Sequence, residues 1–221
     1  MRLAGSPSWF LSVTNDQAAH VCLYVRDVYS IEARGPDVPP PLVGDLRTAE
    51  LIGSAPDAAE LSDAWTAWWR RLVHVTCAAQ LGNRLGGTPK DDLQSRASLR
   101  QSVFDPFEEF ESLGDYPPLR SAAQQTWRQG VAWTHTHGAQ TMRRGSPIPK
   151  AVADSISEER QVDPEQLRAA VLVVAVVGKW FAIAEPGVLL CSEEAYFDDT
   201  LFSVELKKVF ESGLNGPGQQ R

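Results

Sequence analysis

The chain has 221 residues, 43% of them hydrophobic and 22% charged, with a formal net charge of −7. That length suits one domain whose core needs neither a disulfide nor a metal staple. The acidic balance excludes general nucleic-acid binding and docking on an anionic membrane, since both draw affinity from a basic face.

Three cysteines, Cys22, Cys77 and Cys191, lie far apart, and no CxxC or metal-ligand spacing occurs. They read as buried, reduced thiols in a cytoplasmic protein. The first residues, MRLAGSPSWFLSV, lack the apolar core and cleavage site of a secretory signal. The apolar run 169–177 is shorter than the roughly 20 residues a membrane-spanning helix needs. The expectation is a soluble, cytoplasmic protein without membrane contact.

In chain order, residues 9–13 read as a short strand closed by the turn-prone Asn15-Asp16. Residues 17–29 are ambiguous, because Val21-Cys22-Leu23-Tyr24-Val25 is β-rich. Helix is preferred, since Ala18, Val21, Val25 and Val28 share one helical face and Asp16 stands at the cap. Residues 35–41 (GPDVPPP) read as a stiff, extended connector. Residues 57–81 hold the clearest helix, with Leu61, Trp65, Trp68, Leu72, Val75 and Ala79 on one stripe, widened by Trp69, and Gly82 as its cap.

Residues 82–95 read as a loop. Gly82 and Gly87 have the spacing of a phosphate-binding loop, but Thr88-Pro89 stand where lysine and a hydroxyl residue are required, so that motif is rejected. Residues 104–113 predict a helical turn or two with Phe104, Phe107 and Phe110 inward and Glu108, Glu109 and Glu111 outward. Pro117-Pro118 opens a second long helix with the stripe Leu119, Ala123, Trp127 and Val131. Gly130, costing about 1 kcal/mol against alanine, is expected to bend or end it.

A short helix follows, with Ile148, Val152 and Ile156 at four-residue steps, and Asp163-Pro164 marks another start. Residues 169–177 are rich in β-branched valine and apolar at both parities, which predicts a strand covered on two faces. Residues 180–184 and 188–192 flank the tight turn Glu185-Pro186-Gly187, so the valine-rich arm is expected to reverse there as a hairpin. Asp198-Asp199 caps a last helix with Leu201, Phe202, Leu206, Val209 and Phe210 inward. The predicted class is α+β: a small antiparallel or mixed sheet, including a C-terminal hairpin at about 169–192, covered by several amphipathic helices. No βαβ alternation is expected. One domain should span residues 1–213, followed by a flexible tail over 214–221.

Candidates for chemistry are few. Trp65, Trp68 and Trp69 offer indole faces that can stack on sugars or bases, although at helical spacing they read as core. His135 and His137 share a face only on a strand, where such a pair can chelate one ion. At a helix end they point apart, face the negative end of the dipole, and are followed by Gly138 as a left-handed cap. The helical reading is preferred, and neither a metal nor another cofactor is predicted. Glu193, Glu194, Asp198 and Asp199 lack the alternating ligands of a calcium loop and read as helix-start acids. These five residues, Trp65, Trp68, Trp69, His135 and His137, are the candidate binding residues, and no catalytic residue is assigned. The expected function is a non-catalytic protein-interaction or regulatory module meeting another protein or a second copy. The alternative is a small-molecule-binding protein or hydrolase-type enzyme, its pocket lined by His74, His135, His137 and the acids near Glu193.

Overall fold

The computed structural model describes residues 8–46, 57–78, 81, 98, 100–101, 103–105, 109–139 and 146–214. The expected loop at 82–95 with its Gly82–Gly87 spacing, Phe107, Glu108 and the tail beyond Leu214 lie outside the described residues.

Two elements are buried along nearly their whole length: helix α1, Gln17–Val28, and strand β2, Arg168–Val174. Nine of the twelve α1 residues are buried. The β-rich run Val21-Cys22-Leu23-Tyr24-Val25, which also reads as a strand, lies within this helix, and four of its five residues are buried. Its start is set by Asp16, whose carboxylate accepts the Ala18 and Ala19 N–H groups at 2.8 and 3.2 Å. Helix α2, Ala58–Val73, and helix α3, Pro117–His137, pack on α1.

The sheet is mixed, with strand order β1-β2-β4-β3. Strand β1, Phe10–Thr14, runs parallel to β2, with Val13 opposite Val171. Strand β4, Val188–Ser192, also runs parallel to β2, with Leu189 opposite Val171. Strand β3, Phe181–Glu185, pairs antiparallel with β4 on the outside. The α+β class holds, with a small sheet among helices. Two expectations are corrected. The turn at Pro186-Gly187 joins β3 to β4, so the valine-rich arm is not one half of that hairpin; it is the interior strand beside it. The connection from β1 through the helices to β2 is a parallel crossover, which the expected layout lacked. Both corrections have one cause: a strand apolar at both parities is most stable with a strand on each edge and cover on each face.

Helix α4, Ile148–Arg160, lies along the last helix, which follows the short helix α5, Glu193–Phe197. That last helix, α6, Asp199–Leu214, packs on β2 and β4 through Phe202, Leu206, Val209 and Phe210. Leu201, expected inward, stays exposed because it falls on the opposite side of α6. Helix α2 does not run on unchanged: from His74 to Ala78 it becomes a single π-type turn that contacts β2. The extra residue in that turn swings Val75, Thr76 and Cys77 into the core. Among the described residues of 104–113, Glu111–Leu113 form a 3-10 turn, preceded by left-handed Phe110. Phe110 still turns inward, edge-on to Trp68 and Phe104 at 6.0 and 5.5 Å.

Helix α3 passes through Gly130 without ending. A Cβ there would sit 3.3 Å from both Val21 and Tyr24, so the glycine lets α1 and α3 approach closely. The buried stripe accordingly runs through Leu119, Ala122, Ala123, Thr126, Gly130 and Trp133, with Trp127 and Val131 at its margin.

The proline-rich connector is bolted to the core. Arg26, buried on α1, donates from its two terminal nitrogens to the Pro39 and Pro40 carbonyls at 2.5 and 2.8 Å. Its Nε donates to Asp27 at 2.6 Å, and its guanidinium lies over the Trp65 ring at 5.4 Å. Asp27 in turn accepts the Leu42 N–H at 2.7 Å. Asp37 takes a two-pronged pair from Arg70 at 2.7 and 2.9 Å, and its backbone carbonyl accepts the Trp69 indole N–H. The connector then meets the end of β2, where Val43 donates to the Ala175 carbonyl and Val177 to that of Pro41.

Candidate functional site

All three tryptophans of the WTAWW stretch lie in the core, at 0, 3 and 0% exposure for Trp65, Trp68 and Trp69. Each indole N–H is satisfied inside the protein, by the carbonyls of Cys22, Val103 and Asp37 respectively. Trp65 and Trp69 stack on each other at 6.0 Å with planes 5° apart. Their faces are spent on packing, and the exposed surface belongs to Asp63, Arg70 and Arg71 on the far side of α2.

His135 and His137 occupy the last turn of α3, both exposed, and their spacing of two turns them to different sides of the helix. His137 stacks on Trp133 at 5.2 Å, and its Nδ1 lies 3.3 Å from the Trp133 carbonyl. The left-handed cap is corrected: Gly138 has φ −57 and ψ 140. Glycine is required there for space, since a Cβ would stand 2.4 Å from the Thr134 carbonyl oxygen, to which Gly138 itself donates at 2.8 Å. His74 opens the π-type turn and pairs with Glu185 at the end of β3, 3.1 Å away.

The acids after β4 hold structure together. Ser192 caps α5 by accepting the Ala195 N–H at 3.2 Å, which puts Glu193 and Glu194 in that helix's first turn. Asp198 accepts the Leu201 N–H at 3.0 Å and pairs with Lys179 at 2.7 Å. That lysine hydrogen bond holds the Asp198 carboxyl below the usual carboxylate value. The five candidate residues therefore lie in separate places: three inside α2, two at the end of α3. Among the described residues, no cluster of three or more His, Cys, Asp or Glu is placed to hold a metal ion.

Sequence reasoning passed over the most connected histidine. His20 is fully buried. Its Nδ1 lies 2.8 Å from the Asp16 carbonyl, and its Nε2 lies 3.1 Å from the Ala175 N–H. An amide N–H can only donate, so Nε2 accepts and the proton sits on Nδ1, which donates to Asp16. Burial lowers the His20 pKa from its ordinary 6.5, against the raising effects of the Asp16 carbonyl bond and the Asp16 carboxylate. Asp16 also pairs with Arg100 at 2.8 Å. Asp16 follows β1, His20 bonds Ala175 just past β2, and Ser192 ends β4, so all three stand at the carboxyl ends of the parallel strands, the place where open α/β sheets bind ligands. Each of the three is bonded within the protein, Ser192 Oγ accepting the Trp180 N–H as well. The only sequence signal for His20 is a histidine on an apolar helix face, which says nothing of its partners.

A shallow crevice between α2 and the start of α3 is lined by Glu60, Leu61, Ala64, Tyr116, Pro118 and Leu119. None of the candidate residues borders it. Among the described residues no helix is long and apolar enough to cross a membrane. No family model, curated protein or solved structure matches the chain.

Proposed function

We propose that this chain is a non-catalytic protein-interaction module. The supporting observation is where apolar surface is left over. Six large apolar side chains stay exposed among the described residues, and five of them, Val177, Ile183, Phe197, Leu201 and Val204, belong to the C-terminal segment that builds β3, α5 and α6. Leu201 and Val204 lie one helical turn apart on α6, and Phe197 ends the helix just before. Exposed apolar neighbours such as Leu201 and Val204 commonly mark where another protein docks. The tryptophans, which the sequence suggested for this role, are mostly spent on the core. Three buried free thiols, Cys22, Cys77 and Cys191, support a reducing, cytoplasmic setting.

Light scattering over a concentration series, alone and with purified products of neighbouring genes, tests the proposal. The expected result is a defined complex that Leu201→Lys or Ile183→Lys weakens. A chain that stays monomeric and unassociated in every mixture overturns it.

A further inference from the structure

Past Val174 the chain leaves its ladders with β1 and β4, and other bonds fasten residues 175–177. The Ala175 N–H donates to His20 Nε2 on α1 at 3.1 Å. From the connector, Val43 donates to the Ala175 carbonyl, and Pro41 accepts the Val177 N–H, at 3.0 and 2.9 Å. Ala175 and Val176 are buried, Val177 is half-exposed, and Gly178 follows at φ 74 with open space around it. This stretch is thus the most lightly tied end of a strand that is otherwise locked on both edges.

His20 can accept that bond only while it is neutral. A second proton would go to Nε2 and set one donor against another, the Ala175 N–H. The Asp16 carboxylate is already engaged, Oδ1 with the Ala18 and Ala19 N–H groups and Oδ2 with Arg100, and Nδ1 meets the Asp16 carbonyl instead. The other titratable groups around the ring offer it no bond among the described residues. Tyr24 stands one turn further along α1, packed on Trp133. Helix α3 presents that Trp133 ring, 6.1 Å from His20 between centres, with His137 stacked on it. The π-type turn brings the Cys77 thiol under the influence of the same Asp16 carboxylate. The end of β2 presents main chain. We propose that His20 is an acid latch: while neutral it fastens residues 175–177 to α1, and protonation lets that stretch part from α1 and the connector while the rest of the fold persists. The burial that holds the His20 pKa below its ordinary 6.5 agrees with a site that has no place for an imidazolium. The latch operates whether or not the chain binds a partner.

Hydrogen exchange of the full chain, read at single amides from about pH 7.5 to about pH 5 and in low urea, tests this beside an NMR titration of the His20 ring. The Ala175, Val177 and Val43 amides should be less protected than those of Val171 and Leu190 and indifferent to urea, the mark of a local opening. Their protection should fall by up to about tenfold per pH unit from about pH 6.5 toward the native His20 value, and the ring should titrate below its ordinary 6.5. His20→Gln, whose side-chain oxygen can accept the Ala175 N–H without titrating, should keep that protection flat. His137→Gln should leave the wild-type response in place. Protection that stays constant over this window overturns the latch, as does a ring that titrates at or above 6.5. Exchange in step with Val171 and Leu190 at every urea concentration also overturns it, because the stretch would then open only with the whole fold. A response that survives in folded His20→Gln, or that His137→Gln abolishes, does the same. Should His20→Gln fail to fold, the wild-type amides and the ring titration decide alone.

Discussion

Replacing His20 with leucine measures how far the junction of α1 and the sheet depends on one imidazole. Leucine fills a similar volume, so the main loss is polar. The Asp16 carbonyl keeps its bond from the His20 backbone N–H at 3.1 Å. The Ala175 N–H, 3.1 Å from Nε2, loses its acceptor in a fully buried site. An orphaned buried donor costs about 1–3 kcal/mol, a large share of the roughly 5–15 kcal/mol that holds a domain together. In urea this should lower the unfolding midpoint by about 0.5–1 M, given m-values of a few kcal/mol/M. The pH dependence has a definite sign. The native His20 pKa lies below its ordinary 6.5, so between the two values the unfolded chain binds the proton more readily. The contribution is complete above about pH 6.5 and shrinks as pH falls toward the native value. Urea melts at about pH 7.5 and about pH 5.5 should show the gap between wild type and His20→Leu narrowing on acidification. A variant within about 0.5 kcal/mol of wild type, or a gap independent of pH, would refute the reasoning.

Other tests probe the remaining buried polar groups. Arg26→Met should destabilise the protein by about 3 kcal/mol, because Asp27 and the Pro39 and Pro40 carbonyls lose a shared buried donor, and Arg26→Lys should recover little, lacking the planar fork. Asp37→Asn should cost about 1 kcal/mol, discounted for the half-exposed Arg70. Arg70 holds the Asp37 carboxyl below its ordinary 3.8, so its contribution is present above that value and lost as pH falls through the lower native one; acid unfolding followed by circular dichroism should show the variant less sensitive there. Burial raises the pKa of the Cys22 and Cys77 thiols. Native protein should therefore react with a thiol reagent at neutral pH far more slowly than unfolded protein, and fast native labelling of Cys22 or Cys77 would contradict their burial. Acrylamide should quench Trp65, Trp68 and Trp69 weakly, as single-tryptophan variants would reveal.

Periodicity alone determined most of the local elements. The stripe Leu61–Trp65–Trp68–Leu72, the paired prolines before Leu119 and the doubly apolar valine arm each gave their element and its buried side, because local propensity and tertiary packing agree there. The core role of the WTAWW indoles was legible for the same reason. Partnership between distant residues was not. Whether β2 meets β4 in parallel or antiparallel depends on where the chain between Val174 and Phe181 travels, and a valine strand satisfies either neighbour. The bonds from His20 to Ala175, Arg26 to the prolines and Asp37 to Arg70 join residues as much as 155 positions apart. Pattern along a chain reports how each residue meets solvent, whereas pairing of donors with acceptors depends on three-dimensional closure. The exposed Ile183 and the outward Leu201 belong to that second kind: only the assembled sheet and helices decide which apolar groups run out of cover.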